Sequence, residues 1–267
     1  MLWLALGLLY VGADWLDVVD WLDPSSASAG MAQIEGGEFR PFYPANEGET
    51  VVLVAPFRMD RLPVTNRQFL RFVTWWAPRY RRGVISALFA DSEYLSHWAT
   101  PLSLGDSAGP AEPVTRVSWF AAKSYCEWRG ARLPTELEWE LAAAADEHSR
   151  DARTQADFVA RTMGWYAERT PRPGAVGRGA PNYWGVYDLH GLVWEWVLDF
   201  NSSMVSTDGR DQLSGDKQRF CGSGALSATD VSDYASFMRI AFRSALQARY
   251  TTKNLGFRCA ASEGSKP

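Results

Sequence analysis

Residues 113–145, PVTRVSWFAAKSYCEWRGARLPTELEWELAAAA, hold two helix starts with a stop between them. Ser118 precedes WFAAKSYCEW as an N-cap, because its hydroxyl can accept from a first-turn N–H that has no partner within the helix. Gly130 closes that helix, since glycine takes the left-handed C-terminal conformation without steric cost. Thr135, just after Pro134, pairs with Glu138 in the spacing of a capping box and opens the next helix. A similar box lies upstream, where Thr65 and Gln68 begin TNRQFLRFVTWW. Its face of Phe69, Phe72, Val73 and Trp76 is expected to be buried.

The segments around these helices read as short and irregular. IEGGEFRPF is an alternating strand broken by a glycine pair, and ETVVLVAPFRMDRLPVT reads as one further strand that turns at Pro63. Residues 78–112 are punctuated by Pro, Gly and Ser and predict a long ordered loop. After about residue 170, PRPGAVGRGAPNYWG ends the helical periodicity, and short strands and loops are expected from there to the C-terminus. Thirteen tryptophans suit a fold of this kind, since each ring buries a large area without needing a regular element. No repeat or linker divides the chain, so one domain is expected.

A net charge of −4 argues against a nucleic-acid partner, which calls for a dense basic face. The one basic cluster, RYRRG at 79–83, reads as a solvated turn. His97, His148 and His190 share no metal-ligand spacing, and no pair of cysteines is spaced for zinc. The three cysteines allow at most one internal disulfide. MLWLALGLLYVGA at the N-terminus is too short to span a bilayer; it reads as a signal-like core, followed by the small residues SSASAG. The plainer alternative is an N-terminal extension, because no Lys or Arg precedes the run.

Four segments stand in order: EGGEF with MDRLPVTNRQFLRFV; the 113–145 stretch; GVYDLHGLVWEWVLDF; and AFRSALQARYTTKNLGFRCA. Together they resemble the formylglycine-generating enzyme (sulfatase-modifying factor) family over about residues 31–261. Residues 1–30 then form an extension or signal-like segment and 262–267 a tail. The resemblance implies an α+β single-domain fold related to C-type lectins, low in regular secondary structure. It further implies a disulfide between Cys126 and Cys259. The family's second disulfide falls on Ala143 and Ile240, where both halves are missing.

Active members hold Cu(I) between two cysteines and oxidise a client cysteine. Here the second position falls on Ala235 and the first near Leu226, while Cys221 lies several residues upstream. Two thiolates suit a soft ion and one does not, so copper is not expected. Cys221 reads as a small buried residue, with a reactive thiol as the alternative. The family's calcium site matches the side chains of Asp188 and Glu195 with the carbonyls of Gly191 and Val193, oxygen donors of the kind calcium takes. Solvent-facing carboxylates are the plainer reading of the two acids. Trp194, Ser223 and Asn254 match residues lining the family's substrate groove, although packing and turn formation would also explain Trp194 and Asn254.

The leading expectation is therefore a non-catalytic binding or accessory protein, periplasmic or secreted, whose groove holds a protein or peptide segment. The CGSGAL…DYASFMRIAFRSAL segment resembles the NirV-type proteins linked to copper nitrite reductase. A metal-dependent oxidase acting on a thiol is the second reading, and a lectin-fold ligand binder the third.

Overall fold

The computed structural model describes residues 30–42, 50–167, 172–201 and 231–264. A three-stranded antiparallel sheet joins both ends of the domain, with β4 (Phe57–Asp60) between β1 (Met31–Ile34) and β7 (Ala260–Ser262). A second antiparallel pair is formed by β2 (Gly37–Phe39) and β3 (Val52–Val54), and β5 (Trp194–Glu195) runs parallel to β6 (Leu255–Gly256). The helices are α1 (Asn66–Arg71), α2 (Trp119–Trp128), α3 (Glu136–Ala143), α4 (Ala156–Ala167) and α5 (Val231–Ser244). The fold is thus mixed α+β with little regular secondary structure. No helix among the described residues is long and apolar enough to cross a membrane.

The local signals account for several of these boundaries. Thr65 and Thr135 complete their capping boxes with Gln68 and Glu138, and the Ser118 hydroxyl accepts from the Ala121 N–H. Gly130 takes φ +67° after α2. Gly36 separates β1 from β2 at φ +69°, where a Cβ would lie 2.3 Å from the Val54 carbonyl oxygen, so only glycine fits.

Three expectations are corrected. ETVVLVAPFRMD is two strands, β3 and β4, because the chain leaves one sheet at Ala55–Pro56 and enters another. The helix begun at Thr65 widens after Arg71 into a π turn over Phe72–Trp76, which leaves Phe72 and Val73 buried and turns Trp76 out to solvent. The third correction concerns the C-terminal region, which contains the fourteen-residue helix α5. Its buried positions include Ser236, Arg239, Arg243 and Ser244, so a polar buried face conceals the helical period.

The core is aromatic at its centre. Phe69 touches Phe72, Trp98, Tyr125 and Phe257 at centroid distances of 5.5–6.4 Å. The Trp98 indole donates to Asn66 Oδ1 at 3.0 Å, and Trp196 donates to the Val117 carbonyl at 2.9 Å, so these buried N–H groups are satisfied. Cys126 at the end of α2 is bonded to Cys259 just before β7, with Cα atoms 5.5 Å apart. Beside that link Asp60 receives Arg129 at 2.7 Å and the Cys259 N–H at 3.0 Å.

Candidate functional site

The segments that flank residues 202–230 converge on Trp194. Its backbone N–H donates to the Asn254 carbonyl at 2.8 Å, so β5 and β6 bring two of the residues expected in the groove to one place. The Trp194 ring lies 4.4 Å from Phe242 of α5 at 30°, 5.3 Å from Tyr166 at 28° and 5.5 Å from Trp165 of α4. Trp194 is therefore the middle of a four-ring cluster, half-buried, and not a bare groove wall. Asn254 is exposed. Cys221, Ser223 and Leu226 lie outside the described residues.

Behind the rings runs a buried charge network. Arg239 donates to both oxygens of Glu140 at 2.6 and 2.8 Å, to the Tyr166 hydroxyl at 3.0 Å and to Ser236 at 2.9 Å. One turn later Arg243 reaches Glu140 at 3.1 Å and Glu136 at 3.5 Å, and its guanidinium sits 4.3 Å over the Trp139 ring. Burial works to raise Glu140, but the two arginines hold it below the ordinary carboxylate range. Glu136 has only the more distant share of Arg243; burial, with Glu140 and Asp199 nearby, pushes it up to about 7. The sequence does carry a signal for this network. Glu136 and Glu140 are spaced i, i+4 on α3, as are Arg239 and Arg243 on α5, so two helix faces of opposite charge are matched in register.

Beside α4 opens a cavity of about 290 Å³. Phe158, Arg161, Thr162 and Trp165 line it from the helix, and Asp146, Asn182, Asp188, His190 and Gly191 line it from the loops. His190 lies 2.8 Å from the Ala143 carbonyl through Nε2, and burial lowers its pKa to about 4, so the ring is neutral. Trp165 belongs to both the cavity and the ring cluster.

The four groups matched to a calcium site are not equivalent. Asp188 adopts φ +57°, and burial raises its carboxyl, with Glu195 adding to the rise; the Gly177 N–H at 2.6 Å and Arg258 offset part of it. A cation beside Asp188 would relieve that cost. Glu195 differs from the solvent-facing or ion-dedicated acid expected from sequence. It is fully buried, accepts from Arg258 Nη2 at 2.8 Å and Nε at 2.8 Å, and accepts the Trp139 indole at 2.7 Å. Its charge is already balanced, and each of its oxygens already accepts two hydrogen bonds, with Arg258 Nε shared between them. Of the two acids, Asp188 is the one whose charge Arg258 does not pair directly, so it would be the charged ligand of such an ion, with backbone carbonyls as its further oxygen donors.

Ala235, at the position implied for one copper cysteine, is a buried methyl on α5. Cys126 and Cys259 are bonded to each other. No group of three or more His, Cys, Asp or Glu that could hold a metal occurs among the described residues. Burial raises two acids in this region, Glu136 beside the ring cluster and Asp188 beside the cavity.

The formylglycine-generating enzyme of Thermomonospora curvata is 30% identical, the alignment covering 89% of this chain and 95% of that one. The inactive C-alpha-formylglycine-generating enzyme 2 of Bos taurus is 28% identical, over 92% of this chain and 93% of the relative. Hercynine oxygenase of Mycolicibacterium smegmatis is 33% identical, but over 55% of this chain and 38% of its own length. The sulfatase-modifying factor enzyme 1-like domain matches residues 22–263, and the chain belongs to that family.

Proposed function

We propose that this protein is a non-catalytic binding or accessory member of its family, whose groove beside Trp194 receives a segment of a partner protein. The observation that carries this reading is Ala235. An aliphatic side chain cannot ligate copper, and the other implied position falls near Leu226, where the chain has no cysteine either. That a relative named as an inactive formylglycine-generating enzyme aligns over nearly the whole chain supports the same reading. By its resemblance to NirV-type proteins, the partner is a copper enzyme such as nitrite reductase. The Cys126–Cys259 link supports an oxidising compartment, periplasmic or secreted. Calcium, held by Asp188 with the Gly191 and Val193 carbonyls, would brace the turn that leads into Trp194.

A thiol-directed oxidase is the second reading. It draws support from the hercynine oxygenase relative and from Glu136, an acid near neutrality at the edge of the network. The two readings separate on one experiment. The purified chain, supplied with copper in air and a sulfatase-type cysteine peptide, should yield no aldehyde by mass spectrometry. Copper-dependent aldehyde that disappears in Cys221→Ser would refute the binding-only reading.

A further inference from the structure

The chain between α1 and α2 carries an apolar surface that the core does not use. Trp75 is 65% exposed, Trp76 61%, Val84 62%, Leu88 79% and Phe89 44%. Trp76, Tyr80 and Phe89 place this stretch along one side of α2. Trp76 packs on Trp128 at 5.7 Å, the Tyr80 hydroxyl meets Ser124 at 2.6 Å, and Phe89 packs on Phe120 at 5.1 Å. Residues 120, 124 and 128 are successive turns of one helix face, so the strip runs about 12 Å beside it at ~1.5 Å per residue. The π turn is what presents both tryptophans: the Ala77 N–H reaches back five residues to the Phe72 carbonyl at 2.9 Å, and the widened turn swings Trp75 and Trp76 outward together.

The charge of the same stretch has one sign. Residues 61–90 contain six arginines (61, 67, 71, 79, 81 and 82) and no Asp or Glu, in a chain whose net charge is −4. Arg81 donates to the Val73 and Thr74 carbonyls, and Arg82 to the carbonyls of Leu95 and Trp98. Those acceptors are neutral, so the positive charge is fixed in place and not cancelled by them. Of the nearby carboxylates, Asp60, Glu93 and Glu127 are held by Arg129, Arg116 and Lys123, and Asp91 accepts from the Thr251 N–H and hydroxyl.

We propose that this strip docks the protein onto an anionic lipid bilayer surface. Trp side chains favour the headgroup zone, where an amphipathic ring is apolar on its faces and can donate at its N–H. Arg79, over the Tyr80 ring, and Arg81, on the Val73 and Thr74 carbonyls, add attraction to negatively charged headgroups. The turn read from sequence as merely solvated is thus the cationic part of an interfacial patch. A second copy of the chain is a poor occupant, because a two-fold contact would bring this cationic strip against itself.

The test uses the full chain and vesicle co-sedimentation. Phosphatidylcholine vesicles containing phosphatidylglycerol should bind the protein, and pure phosphatidylcholine vesicles should bind it far less. Binding should fall as salt rises. Trp75→Ala with Trp76→Ala, and separately Arg79→Glu, should each lower the partition coefficient about tenfold or more. Arg79→Glu, at an exposed position, should keep the wild-type melting temperature; the tryptophan pair, which loses the contact of Trp76 with Trp128, should melt somewhat lower and is compared well below its midpoint. No binding to either vesicle, or equal binding to both, would overturn the proposal. So would binding untouched by the tryptophan pair, which would assign lipid contact to the apolar run at 1–13. Self-association without lipid, lost in the same variant, would assign the strip to a second copy instead.

Discussion

Arg258 and Glu195 form a side-on ion pair, Nη2 to Oε1 and Nε to Oε2 each at 2.8 Å, with neither side chain exposed to solvent. Removing one partner of a buried pair leaves the other charged and unmatched, a loss of about 3–5 kcal/mol. Glu195→Gln should therefore be strongly destabilised whether or not calcium is present. Asp188→Ala is the cleaner probe of the ion, since Asp188 has no arginine to itself. Thermal melts with and without EDTA check both statements. Chelation should lower the wild-type melting temperature and leave Asp188→Ala unmoved. If Glu195→Gln melts like chelated wild type, Glu195 acts only through the ion and the ion-pair argument is wrong.

The bond between Cys126 and Cys259 spans a sequence separation of 133 residues. In the chain-entropy view a link of that length stabilises by roughly 4–5 kcal/mol, an upper figure because unfolded chains retain some structure. Reduction should lower the urea midpoint accordingly. Non-reducing peptide mapping should recover the 126–259 pair. Free thiols at both positions, or a Cys126–Cys221 link, would rule the pairing out.

Much of the frame was legible because it rests on local chemistry. Ser118, Thr65 with Gln68, and Thr135 with Glu138 mark helix starts through side-chain contacts made within four residues, and Gly36 and Gly130 mark turns that only a missing Cβ allows without strain. The candidate site was less legible, since its decisive contacts are long-range. Trp194 was recognisable in WEW, but nothing near it in sequence announces Phe242 and Tyr166 as its stacking partners. Helix α5 stayed hidden for a related reason: Arg239 and Arg243 point inward to Glu140, so a hydrophobicity pattern marks the buried face as polar. Trp76 misled in the opposite direction, its apolar spacing being undone by one π turn.

The stack changes how Trp194 can be used as a probe. With Phe242 at 4.4 Å and Tyr166 at 5.3 Å, Trp194→Ala would open a gap among three rings and cost about 3 kcal/mol or more. Loss of partner capture in that variant would not by itself locate the groove. Trp194→Phe keeps a stacking face and should retain most of the stability. Asn254→Ala changes an exposed side chain and should leave the urea midpoint nearly unmoved. Weaker capture of a partner by Asn254→Ala at unchanged stability would locate the groove at β6. Unchanged capture in both Asn254→Ala and Trp194→Phe would move it elsewhere.

The carboxyl of Glu136 yields a pH dependence of unusual sign for an acid. Burial pushes its folded pKa up to about 7 from the ordinary 4.5, with Arg243 compensating only in part at 3.5 Å. Between those two values the folded state binds the proton more tightly than the unfolded chain does, so this group's contribution to stability falls as pH rises through the window. The full loss, reached above about pH 7, is roughly 3 kcal/mol at 1.36 kcal/mol per pKa unit. Glu136→Gln stays neutral and escapes it. The variant should match wild type near pH 4.5 and exceed it by up to that amount at pH 8. Other groups work in the opposite direction. His190 and His97 have pKa values lowered to about 4, chiefly by burial, and their contributions are lost as pH falls below the unfolded value of 6.5. Glu140, held below the ordinary range, likewise loses its contribution in acid. Those losses are common to both proteins and cancel when the two are compared at each pH. Urea unfolding of both proteins across this range reads the difference directly; a difference that stays flat from pH 4.5 to 8 would show that Glu136 is ionised throughout and that Arg243 satisfies it fully.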